Sequence, residues 1–288
     1  MPNPTLTNVN RLNRRVEQAR WEFTLPDGAR RLIAAGDFEG RVNETLVRWL
    51  DGSPAAADRL VRWCNTPMFN MGRPFDSLFE AASIMDHLEL ARLAVVAFVR
   101  ELFLPDLEID RYRRDRLWSH CAAVGSVASM IARSSGHGDP GVAFVAGVLH
   151  DIGICASERL GPDYFAKSLA QVDELSPLHA VELELHGWDH AELGAEILQQ
   201  WGIPEEISAA ARYHHQAEQL MDSPHAELIA CVAIADYLCS RSGWSSLDCH
   251  NVAPPSNVVF ARLGIDASLL TVLGQQLYAS LNHAGSLR

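Results

Sequence analysis

The chain has 288 residues, of which 48% are hydrophobic and 21% charged, and its formal net charge is −12. This composition is sufficient for a large hydrophobic core and predicts one large domain or two ordinary ones. No apolar run approaches the roughly 18 residues that span a bilayer, and the N-terminus lacks the pattern of a secretory signal. We therefore expect no membrane partner.

The excess negative charge lies in the C-terminal part of the chain. Residues 1–116 hold 17 basic and 17 acidic side chains, whereas residues 117–288 hold 7 basic and 19 acidic ones. Because an acidic surface repels phosphate backbones, we expect no nucleic-acid partner. The six cysteines are scattered without a CxxC pair, which is typical of reduced core residues in a cytoplasmic protein.

Helical spacing of apolar residues dominates the chain from residue 28 to 104, with turn-like segments at 51–54 and 70–74. Residues 105–116 are polar, and we place a junction there between an N-terminal helical lobe (1–116) and a second lobe (117–288). Helical periodicity returns at residue 117 and continues to about residue 236, without a convincing strand pattern. The sequence therefore predicts an all-α fold.

Four arginines lie in the junction, and they allow two interpretations. They are Arg111, Arg113, Arg114 and Arg116. In the first interpretation Arg113 and Arg116 contact a phosphorylated substrate. In the second, the arginines form a solvated face paired with nearby aspartates, and charge patterning favours this alternative.

Ionisable residues extend the apolar stripes of five predicted helices in the second lobe. His120, for example, lies three residues after Leu117 and four before Val124, on one helix face. The complete set is His120, His150, Asp151, His190, His214, His215 and Asp236. Residues 145–153 are the most informative segment, because a mostly apolar run ends there in an adjacent His-Asp pair. If that run is helical, the two side chains point about 100° apart and can reach one ion.

Buried carboxylates need a compensating charge, and no lysine or arginine lies on these stripes. A divalent cation would compensate Asp151 and Asp236, and imidazole with carboxylate suits Fe, Mn, Co, Ni or Zn. Seven ligands exceed the need of one ion. They suit two ions bridged by Asp151, with His120, His150 and Asp236 on one and His190, His214 and His215 on the other. Taken singly, each histidine is more typical of a hydrogen-bonded core residue. The other histidines, including His179, are interpreted as structural or surface residues.

Several of these segments together resemble the HDOD family, the HD-related output domain of the HD metal-dependent phosphohydrolase superfamily. They are residues 117–120 (LWSH), 147–153 (GVLHDIG), 190–195 (HAELGA), 201–204 (WGIP), 214–215 (HH) and, upstream, 60–67. The resemblance covers about residues 25–240. It implies an all-helical HD-domain-like bundle with an N-terminal helical lobe.

The resemblance also implies metal ligands at His120, His150, Asp151 and Asp236. By analogy with the cyclic-dinucleotide phosphodiesterases of the HD-GYP branch, His190, His214 and His215 would bind a second ion. That branch carries a lysine where this chain has Ile154, and the GYP sequence is missing after His215. The ligand set therefore favours bound metal more strongly than hydrolysis of cyclic diguanylate.

Two functions follow from these expectations. The first is a non-catalytic signalling output module, in which metal or a nucleotide fixes the two lobes for a signalling protein to recognise. The alternative is a metal-dependent phosphohydrolase acting on a small phosphorylated ligand, such as a nucleotide or cyclic dinucleotide. Its catalytic residues would be Asp151 and His190, with His190 or His215 protonating the leaving group if it is not a ligand.

Overall fold

A computed structural model describes residues 4–25, 54–65, 73–104, 106–173, 175–247, 252–266 and 268–273. In the N-terminal half of these residues the helices are α1 (Pro4–Glu22), α2 (Pro54–Cys64), α3 (Leu78–Ile84), α4 (His87–Val99), α5 (Arg114–Ser135) and α6 (Pro140–Leu149). They continue with α7 (Ile152–Leu160), α8 (Pro162–Leu169), α9 (Leu178–His186), α10 (His190–Gln200), α11 (Glu205–Tyr213), α12 (Ala226–Arg241) and α13 (Asn257–Arg262). The prediction of an all-α fold is confirmed.

A two-stranded antiparallel hairpin interrupts the helices at the predicted junction. Strands β1 (Glu108–Ile109) and β2 (Tyr112–Arg113) are two residues long, and Asp110 adopts a positive φ of 51° in the turn between them. Two residues are too few for an alternating pattern, so the sequence did not reveal the hairpin. Helix α5 begins at Arg114, and the predicted lobe boundary at 116/117 falls in its first turn. The division into lobes stays a prediction. Residues 51–53 and 70–72 of the predicted turns at 51–54 and 70–74 lie outside the described residues, as do residues 28–50 and 66–69 of the predicted helical region.

Helix α5 is the central helix of the second lobe and packs mainly against α6 and α12. Nearly all its side chains from Leu117 to Ser129 are buried. Its crossing with α6 depends on two glycines: a Cβ on Gly147 would lie 2.6 Å from the Cα of Gly125. Because such a contact is far below van der Waals distance, only glycine allows the two backbones to approach so closely.

The segment Pro140–Leu160 has the length and apolar character of a membrane-spanning helix. In the structure, however, 83% of its apolar window is buried inside the bundle, as in the core helix of a soluble protein. The segment is also interrupted. Helix α6 ends at Leu149 and α7 begins at Ile152, so His150 and Asp151 lie in the turn between two helices rather than within one.

A buried ion pair connects α7 to the start of α5. The guanidinium of Arg114 donates to both carboxylate oxygens of Glu158, with Nε 2.8 Å from Oε2, and the Tyr112 hydroxyl donates to Oε2 at 3.1 Å. Both charged side chains are less than 10% exposed. A bidentate, hydrogen-bonded geometry is what allows a buried ion pair to offset its desolvation cost. The pair therefore fixes α7, and with it Asp151, against α5.

We expect Glu158→Ala to lower the free energy of unfolding by about 3–5 kcal/mol, because it leaves the buried Arg114 charge without its carboxylate partner. Denaturant unfolding measures this change. The double substitution of Arg114→Met with Glu158→Leu should recover most of the loss. Arg113→Ala, which breaks an exposed ion pair with Asp115, should cost less than about 1 kcal/mol. Equal losses for Glu158→Ala and Arg113→Ala would contradict the expectation.

Candidate metal centre

The seven predicted ligands converge in one place. Their ligand atoms form three overlapping groups, and within each group the atoms lie within 4.8 Å of one another. The groups are Asp151 with His190, His214 and His215; His120 with His150 and Asp151; and His150 with His214 and Asp236. Residues far apart in sequence are thus brought to a single cluster by the packing of helices α5, α10, α11 and α12 around the α6–α7 turn.

Asp151 lies at the centre of the cluster, and its two oxygens face opposite sides. Oδ2 is 3.5 Å from Nε2 of His120 and 3.3 Å from Nε2 of His150. Oδ1 is 3.3 Å from Nε2 of His190 and 3.6 Å from Nε2 of His214. Asp151 therefore contacts histidines from both predicted ligand groups.

The remaining predicted ligands complete these two sides. Asp236 Oδ1 lies 3.3 Å from Nε2 of His120. Nε2 of His215 lies 3.0 Å from Nε2 of His190. Asp236 therefore lies on the Oδ2 side of Asp151 and His215 on the Oδ1 side. The group of His150, His214 and Asp236 spans both sides, however, so the division of the ligands between two ions stays a prediction.

Backbone carbonyls fix the orientation of three imidazoles. Nδ1 of His120 lies 2.6 Å from the Trp244 carbonyl, and Nδ1 of His150 lies 2.7 Å from the Gly147 carbonyl. His214 makes the same contact, at 2.7 Å, with the carbonyl of Ala211. Because a carbonyl can only accept, each Nδ1 carries a hydrogen, so that Nε2 presents a lone pair to the cluster whenever the ring is neutral.

The Glu182 side chain, rather than a backbone carbonyl, fixes the orientation of the His190 imidazole. Its Oε2 accepts from Nδ1 of His190 at 2.6 Å and from the His190 backbone N–H at 2.8 Å. A carboxylate behind a histidine ligand orients the ring and raises its basicity. Sequence reasoning missed Glu182, although it lies four residues after the buried Leu178 and thus on an apolar stripe like the other ligands.

Two ring nitrogens show that the cluster fits a metal. Nε2 of His150 and Nε2 of His214 are buried, point at Asp151 and make no hydrogen bond in the structure. A buried polar atom without a partner is costly, and a divalent cation would satisfy both nitrogens at once. The donor set contains imidazole and carboxylate without thiolate, which suits the transition metals expected from sequence.

The carboxylates control the pKa values of the neighbouring imidazoles. Burial alone would lower the pKa of His120, but Asp236 and Asp151 raise it to about 9. Likewise, Glu182 and Asp151 overcome burial and raise the pKa of His190. For His214 burial prevails and, with the charge of His150, lowers the pKa to about 4. The metal-free cluster thus balances its carboxylates with protons on His120 and His190.

Close backbone contact between α7 and α10 places Asp151 beside His190. A Cβ on Gly153 would lie 1.9 Å from the His190 carbonyl oxygen, and one on Gly194 would lie 3.0 Å from the Gly153 nitrogen. Only a glycine at position 153 permits this contact, and Gly194 leaves room for it on the facing helix. The two glycines belong to the sequence segments that contain Asp151 and His190, so each segment carries both a ligand and the residue that brings it near its partner.

The cluster opens into a cavity of about 710 Å³. Its lining includes Ile154, at the position where the HD-GYP branch carries a lysine. It also includes His179, whose ring stacks on that of His215 with the ring centroids 4.0 Å apart. The sequence interpretation gave His179 a structural or surface role. The structure places it against the cluster.

Arg113 and Arg116 do not line this cavity. Arg113 is exposed on β2 and forms an ion pair with Asp115 at 3.0 Å. The pairing with a nearby aspartate corresponds to the second interpretation of the arginine segment. Substrate contact by Arg113 and Arg116 stays a prediction, and nothing in the geometry of the cluster supports it.

Comparison with known proteins identifies the family. The sequence profile of the HDOD domain matches residues 23–217. The chain belongs to the HDOD family. An uncharacterised protein from Treponema pallidum (strain Nichols) is 27% identical over 127 residues, which are 43% of this chain and 24% of the relative. The match thus spans about a quarter of that relative's length.

Solved structures share the HDOD fold. An HDOD domain protein of unknown function from Geobacter sulfurreducens has a TM-score of 0.75 at 23% identity, covering 92% of this chain and 93% of its own. A protein from Marinobacter aquaeolei VT8, provisionally named a signal transduction protein, has a TM-score of 0.75 at 21% identity, with coverages of 99% and 65%. One from Shewanella amazonensis SB2B, provisionally named a metal-dependent phosphohydrolase, has a TM-score of 0.67 at 15% identity and covers both chains fully. At these identities the likeness shows the fold alone.

We expect Glu182→Gln to weaken metal binding by this HDOD protein about 10–100-fold, because His190 loses the carboxylate that orients its ring. Competition with a chelator measures the dissociation constant. Glu184→Gln is the matched control, since Glu184 is exposed on the same helix. Equal affinities for the two variants would show that Glu182 does not support a ligand.

Metal binding should also release protons at pH 7. The pKa of about 9 keeps His120 protonated in the metal-free protein, the pKa of His190 is likewise raised, and a ligand imidazole must be deprotonated. Affinity should therefore rise with pH above about 7. Titration calorimetry in two buffers of different ionisation enthalpy counts the protons released. Metal binding without proton release at pH 7 would contradict the assignment of His120 as a ligand.

Proposed function

We propose that this HDOD protein is a divalent-metal-dependent phosphohydrolase. The observation that carries the proposal is the convergence of seven imidazole and carboxylate ligands at a cavity large enough for a small-molecule substrate. A metal that served only to stabilise the fold would not need an open cavity beside it. Two ions of Fe, Mn, Co, Ni or Zn would share Asp151, with His120, His150 and Asp236 on one side and His190, His214 and His215 on the other.

When bound, the ions would supply Lewis acids that activate water and polarise a phosphoryl group. Asp151 holds the two sides of the cluster together through its two oxygens. Glu182 keeps the Nδ1 proton on His190, so that Nε2 faces the cluster. As a ligand through Nε2, His190 has no proton left to give a leaving group. Its two predicted roles, ligand and acid, therefore exclude each other, and the 3.3 Å distance to Asp151 Oδ1 favours the ligand.

A non-catalytic signalling module is the second candidate, and Ile154 favours it. This side chain is 2% exposed and lines the cavity at the position where the cyclic-dinucleotide phosphodiesterases carry a lysine. Bound metal would connect α5, α10, α12 and the α6–α7 turn, so its gain or loss would alter their packing for a signalling partner to recognise. The five described cysteines, all buried and unpaired, support a location in the reducing cytoplasm for either function.

Elemental analysis followed by hydrolysis assays tests the proposal. We expect the purified protein to hold close to two metal ions per chain and to hydrolyse p-nitrophenyl phosphate or its bis ester. Asp151→Asn should remove metal and lower turnover by at least about 100-fold, since the bridging charge is lost. Glu184→Gln, on the exposed face of α9, should leave both unchanged. Full metal content without turnover on either compound would contradict the phosphohydrolase and favour the signalling module.

A further inference from the structure

The cavity at the candidate metal centre has no lysine or arginine among the described residues that line it. The undescribed residues next to its wall in sequence, 174 and 248–251, include no lysine or arginine either. Sites for several phosphates usually present arginine or lysine, which pair with phosphate oxygens. In this cavity the ions themselves would therefore have to provide the attraction for phosphate.

Two acidic side chains lie at the solvent-exposed edge of the cavity. Asp173 and Glu218 line the cavity and are exposed to solvent, which places them at its mouth. Asp173 accepts hydrogen bonds from the backbone N–H groups of Leu175 and Ser176 at 2.8 Å each, which lower its pKa and keep it charged. The mouth thus repels anions.

The net charge of the metal-loaded cluster would be balanced by one phosphate group. Asp151 and Asp236 are among the ligands, and Glu182 lies directly behind His190. These three carboxylates would offset most of the charge of two divalent ions, leaving a small positive excess. One phosphate group would neutralise that excess, and a further phosphate would meet only the acidic mouth.

Uncharged groups make up much of the rest of the wall. Tyr237, Ser240 and Ser246 offer hydroxyls, and Leu178, Val252 and Pro254 offer apolar surface. Hydroxyls and apolar surface suit a neutral organic group with a few hydrogen-bonding atoms. The volume of about 710 Å³ lies within the usual range for small-molecule sites.

We infer that the cavity selects phosphate monoesters of an uncharged organic group and discriminates against ligands with a second phosphate. The inference rests on the proposed function, because it requires metal in the cluster. It assigns the discrimination to the acidic mouth and to the absence of cations from the wall.

Ligand binding to the metal-loaded protein tests the selectivity without relying on turnover. The probes are the phosphonate analogues of adenosine 5′-monophosphate and adenosine 3′,5′-bisphosphate, which share one organic group and resist hydrolysis. Calorimetry at low ionic strength should show the single-phosphonate ligand binding at least about 5-fold more tightly. Cyclic diguanylate should bind more weakly than the single-phosphonate ligand.

Reversing the charge of Glu218 tests whether the acidic mouth causes the selectivity. Glu218→Lys should strengthen binding of the bisphosphonate by about 5-fold or more, because it replaces repulsion at the mouth by attraction. The difference in affinity between the single-phosphonate ligand and the bisphosphonate should therefore become smaller. Glu184→Lys carries the same charge change on α9 outside the cavity lining and should leave the difference unchanged. An equal effect of both variants would assign the selectivity to net charge and overturn the role of the mouth.

The outcomes separate this inference from the proposed function. If the metal-loaded protein binds the bisphosphonate as tightly as the single phosphonate, or binds neither, the selectivity is wrong while the metal and turnover assays still decide the function. If the protein holds no metal, both the function and the selectivity fail.

Discussion

The burial of the Asp151 carboxylate is the constraint on which the rest of this structure depends. Its side chain is 6% exposed and lies in the interior of a helical bundle. A buried carboxylate costs several kcal/mol unless a positive charge and hydrogen-bond donors compensate it. Four imidazoles point their Nε2 atoms at its two oxygens, and no lysine or arginine among the described residues forms an ion pair with it. Protons compensate the charge in the metal-free protein, and divalent cations would do so more completely.

Backbone contacts make this convergence possible. Seven ligands on separate segments can meet only if their helices approach more closely than ordinary side chains allow. Gly125 with Gly147 brings α5 to α6, and Gly153 with Gly194 brings α7 to α10. The buried Arg114–Glu158 pair then fixes α7 against α5. The glycine contacts and the buried ion pair thus have the same effect, since each positions a segment that carries a predicted ligand.

Sequence periodicity was sufficient to find the side chains that converge in the cluster, and the reason is physical. A polar residue on an apolar helix stripe must point into the core, so the positions of His120 and Asp236 followed from their spacing to buried neighbours. The same rule would have found Glu182, which shares a stripe with Leu178. It could not find His179, whose contact with His215 depends on how α9 packs. Nor could it find the break between α6 and α7, because an unbroken apolar run from residue 142 to 149 gives no sign of where the helix ends.

Two sequence features favour different functions, and the cavity accounts for both. The complete set of predicted ligands favours catalysis, whereas Ile154 in place of lysine favours a non-catalytic signalling module. If the proposed ions bind, Ile154 leaves them as the only source of positive charge in the described wall of the cavity. Phosphate recognition would then depend on metal occupancy, because the protein supplies no cation of its own there. A site of this kind links ligand binding to metal content, which is equally useful to an enzyme of narrow substrate range and to a signalling module that responds to a bound ligand.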